Sequence, residues 1–207
     1  PKDSDLTIKK TRSEPEDGKI TYTVTASSEK GTDDDQVKIV DRLTYSGLKN
    51  VTVGKPTVKK GNFDISYSDS NYETKSGTYE TKSGTGFSEY TLKLPALKAG
   101  ESYTVSYEVD YGKVVGNGYA SISNKADGYK GDTWKSSDQT NNVEISKQMI
   151  KKEGYATDNN QAINWTIEIN PNHVADFEGK FAIEDLLNGK QIDLTNADDF
   201  KVTETDM

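Results

Sequence analysis

Cysteine is absent from all 207 residues, and histidine occurs once, at His173. The first absence excludes disulfides as a staple. The second nearly excludes a His-based triad and a His metal cluster. Hydrophobic residues make up only 31% and mean hydropathy is −0.84, so the apolar core is thin and a covalent fastening other than a disulfide is plausible. No apolar run reaches the length of a membrane span or a signal-peptide core. Basic excess is missing too: the net charge of −8 and pI near 4.8 argue against nucleic acid and against a membrane as partner. No pattern calls for a cofactor. The acidic run Asp33-Asp34-Asp35 fits a solvated loop better than a calcium site, so no metal site is assigned. The chain opens at Pro1 and closes at Met207 without a sorting signal, the expectation for an excised fragment.

What the chain does hold is 12 Tyr and a dense supply of Thr, Val and Ile in alternating order. That mixture suits half-buried strands. Strand patterns fall at 5–10, 19–26, 37–43, 51–58, 63–67, 89–94, 102–110 and 118–126, divided by turn chemistry such as Glu16-Asp17-Gly18 and Lys60-Gly61-Asn62. Their spacing predicts an all-β sandwich. Leu94-Pro95-Ala96-Leu97 offers at most a short helical turn. Tyr-Glu-Thr-Lys-Ser-Gly-Thr occurs twice in succession, at 72–78 and 79–85, as in a hairpin or loop grown by duplication. The polar stretch 127–142 reads as a boundary, giving a first domain over 1–142 and the first part of a second over 143–207. In the second, Val143-Glu144-Ile145-Ser146-Lys147 repeats the register of Leu6-Thr7-Ile8-Lys9-Lys10, and Ile183-Glu184-Asp185 repeats Ile39-Val40-Asp41. Ile163, Trp165, Ile167 and Ile169 share one strand face and are expected in a core; His173 is expected in an exposed turn.

Three polar residues occupy positions where apolar ones belong. The period of two that turns Leu6 and Ile8 inward also turns Lys10 inward; Asp41 falls between Ile39 and Leu43, and Asn124 beside Ile122. A buried amine, carboxyl and carboxamide are each costly alone. Together they are the nucleophile, acid and electrophile for a Lys–Asn isopeptide bond. Burial lowers an amine's pKa and raises a carboxyl's, so a neutral Lys10 could attack Asn124 while a protonated Asp41 hydrogen-bonds the Asn124 carbonyl and shuttles protons as ammonia leaves. Fixed placement by the strands supplies the effective concentration. The apolar neighbours expected around Lys10 are Ile8, Ile39 and Ile122, with an aromatic from the Tyr22 or Tyr107 strands. The bland alternative is an edge lysine whose amine snorkels to water, with Asp41 opening a turn and Asn124 ending a strand. A bulge near Lys9-Lys10 would make Lys9 the nucleophile.

The segments Asp5-Leu6-Thr7-Ile8-Lys9-Lys10, Ile20-Thr21-Tyr22-Thr23-Val24-Thr25, Val40-Asp41-Arg42-Leu43, Ala99-Gly100-Glu101-Ser102-Tyr103 and Ile122-Ser123-Asn124-Lys125-Ala126 resemble the repeated β-sandwich domains of Gram-positive surface adhesins and pilins. Ile163-Asn164-Trp165-Thr166-Ile167-Glu168-Ile169-Asn170 and Ile183-Glu184-Asp185 resemble the start of a collagen-adhesin-type domain. The resemblance implies an immunoglobulin-like sandwich, extracellular and wall-anchored in the full-length protein, with Lys–Asn isopeptide bonds promoted by an Asp. It gives Asp41 the acid's role and Lys10 and Asn124 the crosslink. Lys147 and Asp185 become the counterparts in the second domain, where no Asn-bearing last strand follows, so Lys147 is expected to be unreacted and the open edge prone to pairing.

Three function classes follow. The leading one is a structural stalk or adhesin module whose partners are neighbouring repeats of the parent protein. The second is direct binding of a host extracellular-matrix protein such as collagen, or of a glycan. The third, a carbohydrate-active enzyme, has only chance carboxylate pairs to recommend it. A crosslink formed once per molecule is self-modification without turnover, so the chain is not expected to be an enzyme.

Overall fold

The structure is a computed structural model that describes residues 6–79, 84–115, 118–157, 159, 163–174 and 183. In chain order the strands are β1 (Thr7–Arg12), β2 (Lys19–Ser27), β3 (Val37–Ser46), β4 (Leu48–Lys49), β5 (Thr52–Val53), β6 (Thr57–Lys60), β7 (Phe63–Ile65), β8 (Tyr72–Thr78), β9 (Gly86–Leu94), β10 (Ser102–Asp110), β11 (Lys113–Val114), β12 (Tyr119–Lys130), β13 (Thr133–Gln139), β14 (Val143–Ser146), β15 (Ile150–Ala156) and β16 (Ile163–Ile169). Among the described residues the one helical element is a 3-10 turn at Asp69–Asn71, and Leu94-Pro95-Ala96-Leu97 is irregular.

The strands form a β-sandwich. One antiparallel sheet runs β1-β2-β10-β6-β7, with β5 also on β10; the other runs β13-β12-β3-β9-β8, with β14 also on β12. Each central strand alternates strictly. Ile20, Tyr22, Val24 and Ala26 of β2 and Tyr103, Val105, Tyr107 and Val109 of β10 face Val37, Ile39 and Leu43 of β3 and Ala120, Ile122 and Ala126 of β12 across one core. β8 and β9 make a hairpin in which Thr78 pairs with Gly86, so the first copy of the duplicated heptapeptide is strand.

Several boundaries differ from the sequence expectation. The pattern over 51–58 is broken at Gly54-Lys55-Pro56, giving β5 and β6, since proline has no N–H for a ladder bond. The stretch 127–142 is the end of β12 and the hairpin strand β13. It reads as polar because β13 lies over the edge of β1 and serves it with side chains: Ser136 Oγ accepts from Ile8 N–H at 2.9 Å, and Asp138 Oδ2 accepts from Lys10 N–H at 2.7 Å. Nor does the first body stop at residue 142. β14 pairs with β12, Ile122 opposite Val143, and Val143 and Ile145 are buried in the sandwich core. The apolar side chains of 143–146 extend the sheet of β12 and β3 rather than begin a new one.

β15 and β16 form a separate two-stranded hairpin, Gly154 opposite Trp165. Its expected core face is open: Trp165 is 48% exposed and Ile163 58%. Two strands present an apolar face that is buried only when another layer lies over it. His173, with φ of 54°, sits in the following turn and is half-buried. The chain divides into a compact unit over Pro1–Asp176 and another over Phe177–Met207. Asp185 lies outside the described residues.

Candidate functional site

The ladders dictate which side chains meet. On the first sheet Lys10 pairs with Val24, Val24 with Val105, and Tyr22 with Tyr107, so Lys10, Tyr22 and Tyr107 are inward neighbours on β1, β2 and β10. On the second, Asp41 lies between Ala126 of β12 and Tyr90 of β9, with Asn124 one inward step away opposite Leu43. The two groups face each other across the core. Lys10 is 5% exposed, Asp41 1% and Asn124 0%. Lys9, on the other face of β1, is exposed. Ile8, Ile39 and Ile122 are all buried beside them.

Lys10 Nζ contacts Asp41 Oδ2 directly, and both side chains are sealed from water. Tyr107 is the hub of the remaining contacts. Its O–H donates to Asp41 Oδ1 at 2.8 Å, its oxygen accepts from Asn124 Nδ2 at 2.6 Å, and Lys10 Nζ lies 3.4 Å away. Tyr90 O–H donates to Asp41 Oδ2 at 3.3 Å. The rings are locked together, Tyr22 stacked on Tyr107 at 5.8 Å and Tyr90 edge-on to it at 5.3 Å. The Lys10 ammonium position lies 5.2 Å from the Tyr22 centroid and 5.4 Å from that of Tyr107. An aromatic cage therefore surrounds the amine on the first-sheet side.

Burial pushes the Lys10 amine below its ordinary pKa, against the pull of Asp41. Burial likewise raises the Asp41 carboxyl, against the pull of Lys10 and the tyrosine hydrogen bonds. Both directions favour a neutral amine beside a protonated carboxyl. Tyr107 and Tyr90 are held well above their usual values by burial and by Asp41.

One expected contact is different. Asp41 and the Asn124 carbonyl share no hydrogen bond; Asn124 Oδ1 is buried with no partner among the described residues. The phenol of Tyr107 stands between the two side chains and takes the Asn124 amide nitrogen instead. Sequence reading placed Tyr107 in the lining but missed its hydroxyl as a bridge, and it missed Tyr90. The available signal was parity, since Tyr90 shares the inward face of Leu92 and Leu94.

Two small devices position β1. A Cβ on Gly128 would come within 2.5 Å of Ile8 Cγ1, so glycine lets Ile8 lie flat on β12. The Ser136 and Asp138 contacts then fix the register that turns Lys10 inward. Lys147 is not part of this site. It follows β14, half-buried, with its N–H directed at Gly118 O at 3.4 Å.

No family model matches the chain, and no curated protein matches it at a significant level. Among solved structures it is similar to the full-length major pilin SpaD of Corynebacterium diphtheriae, at 17% identity and a TM-score of 0.42, over 71% of this chain and 36% of that one. It is similar to BcpA, the major pilin subunit of Bacillus cereus, at 13% identity and 0.42, over 71% of this chain and 42% of the other. AvmM, which catalyses macrocyclization in alchivemycin A biosynthesis, aligns at 8% identity and 0.44, over 70% of this chain and 90% of its own. The chain spans well under half the length of the two pilin chains, and likenesses this loose carry no argument about function.

Proposed function

We propose that the protein is a structural module of a Gram-positive surface protein, a pilin-like shaft or stalk unit outside the cell, whose sandwich is tied by a self-formed isopeptide bond between Lys10 and Asn124 with Asp41 as the promoting acid. The observation that carries this reading is the sealed contact of Lys10 with Asp41 next to Asn124, in the core of a chain without cysteine. A lysine and an aspartate buried only to make a salt bridge are a poor investment in stability. Buried as reactants with depressed and raised pKa values, they are poised for the reaction.

The bond would join β1 of one sheet to β12 of the other. It would close a loop of about 115 residues, contributing roughly 5 kcal/mol on the loop-entropy estimate used for disulfides. Strands inside that loop could not be fully extended by a pulling force, a property suited to a shaft whose partners are the neighbouring repeats. The reaction would occur once per molecule. Intact mass tests it: native protein one ammonia lighter than its sequence supports the bond, and full mass refutes it. A solid-phase binding assay against collagen and other matrix proteins separates a shaft from a ligand-binding tip.

A further inference from the structure

We propose that Tyr107 is a catalytic residue of the crosslinking reaction, its hydroxyl passing a proton from the Asp41 carboxyl to the departing nitrogen of Asn124. The inference rests on the Lys10–Asn124 reading and names the carrier for a proton that Asp41 does not reach the carboxamide to deliver. One oxygen atom touches all three partners: 2.6 Å from Asn124 Nδ2, 2.8 Å from Asp41 Oδ1 and 3.4 Å from Lys10 Nζ. Asn124 makes its one side-chain hydrogen bond among the described residues to this oxygen.

In the resting amide the Nδ2 lone pair is delocalised, and the group only donates. When the Lys10 Nζ lone pair bonds to Asn124 Cγ, the carbonyl π pair moves onto Oδ1 and Nδ2 becomes a pyramidal amine that can accept. The hydrogen-bond chain then reverses. Asp41 gives its proton to the Tyr107 oxygen as the Tyr107 proton passes to Nδ2, two protons moving in one step. The Asp41 carboxylate so formed takes a proton from the cationic Nζ. Collapse of the Oδ1 pair restores the carbonyl, breaks Cγ–Nδ2 and releases ammonia. An amine and a carboxamide become a secondary amide and ammonia, and Asp41 and Tyr107 end as they began, with no redox partner required.

The neighbouring tyrosines lack this placement. Tyr22 stacks on the same ring, yet its hydroxyl has no hydrogen-bond partner among the described residues. Tyr90 reaches Asp41 Oδ2, and among the described residues it makes no hydrogen bond to Asn124. The isolation of the site makes a water substitute for the Tyr107 hydroxyl poor, because Asp41 and Asn124 are sealed beneath both sheets.

The test follows intact mass with time after a pulse of cell-free synthesis. Tyr107→Phe is expected to slow ammonia loss on the order of 100-fold, the scale of a lost general acid, while Tyr103→Phe, on the same strand with its hydroxyl on Pro95 O, proceeds at the wild-type rate. Equal rates for Tyr107→Phe and Tyr103→Phe would overturn the relay. Should Tyr107→Phe fail to fold, shown by loss of cooperative melting, the wild-type rate in mixtures of light and heavy water decides. A bowl-shaped dependence on deuterium fraction is the signature of two protons in flight, and a linear one overturns the proposal. Wild-type protein that never loses ammonia would instead refute the crosslink itself, so the two failures are distinguishable.

Discussion

In β1, Ile8 and Lys10 are each only 5% exposed, whereas Trp165 and Ile163 of β16, on a strand of equal regularity, stay 48% and 58% exposed. Alternation in a strand selects a face; a second layer decides whether that face is buried. β1 has one. Its inward side chains meet β12, where Gly128 leaves room for Ile8, and its free edge is served by Ser136 and Asp138 of β13. Trp165 lies across Gly154 of its own hairpin, with Lys152 Nζ 4.5 Å from its ring centroid. The pKa values follow the same division. Lys10 is shifted because burial strips its water, while the shift at Lys151 of the hairpin comes from an exposed partner, Glu153. Chemistry that needs a neutral lysine belongs in the first environment.

The strongest way to break the contrast is to remove the bond but keep the pair. Asn124→Ala leaves Lys10 and Asp41 in contact and should restore the full sequence mass. It should lower stability by about 5 kcal/mol on the loop-entropy estimate, on the order of 10–20 °C in Tm for a chain of this size. Asp41→Ala should restore the full mass too and cost more, because it strands the Lys10 amine without a partner. Calorimetry beside mass spectrometry checks both; a variant of full mass with an unchanged Tm would show that the bond does not hold the sandwich.

Gly128→Ala tests the packing of β1 on β12. The added methyl meets Ile8 Cγ1 at 2.5 Å and should cost about 1–3 kcal/mol. It should also slow crosslinking, since Lys10 rides two residues further along the same strand. Full stability with an undisturbed rate would mean that β1 is placed by other contacts.

The Lys10–Asp41 pair gives a pH signature in Asn124→Ala, where it cannot react. With the amine depressed and the carboxyl raised, the folded pair holds one titratable proton, as does the unfolded pair at neutral pH, so stability is flat there. As pH falls, Asp41 with its raised pKa takes up its proton in the folded chain before the unfolded one does, so the pair's contribution grows toward the ordinary carboxyl range. As pH rises, Lys10 with its lowered pKa gives up its proton in the folded chain first, so the contribution grows toward the ordinary lysine range. Asp138, Tyr22, Tyr90 and Tyr107 are the other charged and titratable groups facing the pair among the described residues. Thermal melts across pH check it, and a steady slope through neutrality from this pair would contradict it.

At the small end, Trp165→Ala should change the melting of the sandwich by under about 1 kcal/mol, as for a half-exposed surface residue. A large effect would reveal a role for the hairpin in the sandwich that its exposure does not suggest.

The inward placement of Lys10, Asp41 and Asn124 was legible because a strand's period of two is rigid: Asp41 and Asn124 lie between buried aliphatics, and Lys10 follows buried Ile8 on its face. The central strands were legible for the same reason. β13 was not, because its alternation is Ser136 and Asp138 against other polar residues, and their target is the backbone of a strand 128 positions away. The boundary expected after residue 142 failed similarly: Val143 and Ile145 suit a first strand of a new sheet or a last strand of the old one, and pairing with β12 chooses the latter. Tyr107 could be placed inward from sequence, but how far its hydroxyl reaches depends on the gap between two sheets. No alternation pattern encodes that distance.

The central claim is a covalent one, and intact mass addresses it most directly. Wild-type protein should weigh one ammonia less than its sequence, with a tryptic peptide joining Lys10 to Asn124 and Lys147 unmodified. A wild-type mass equal to the full sequence, with Lys10 and Asn124 recovered in separate peptides, would contradict the account.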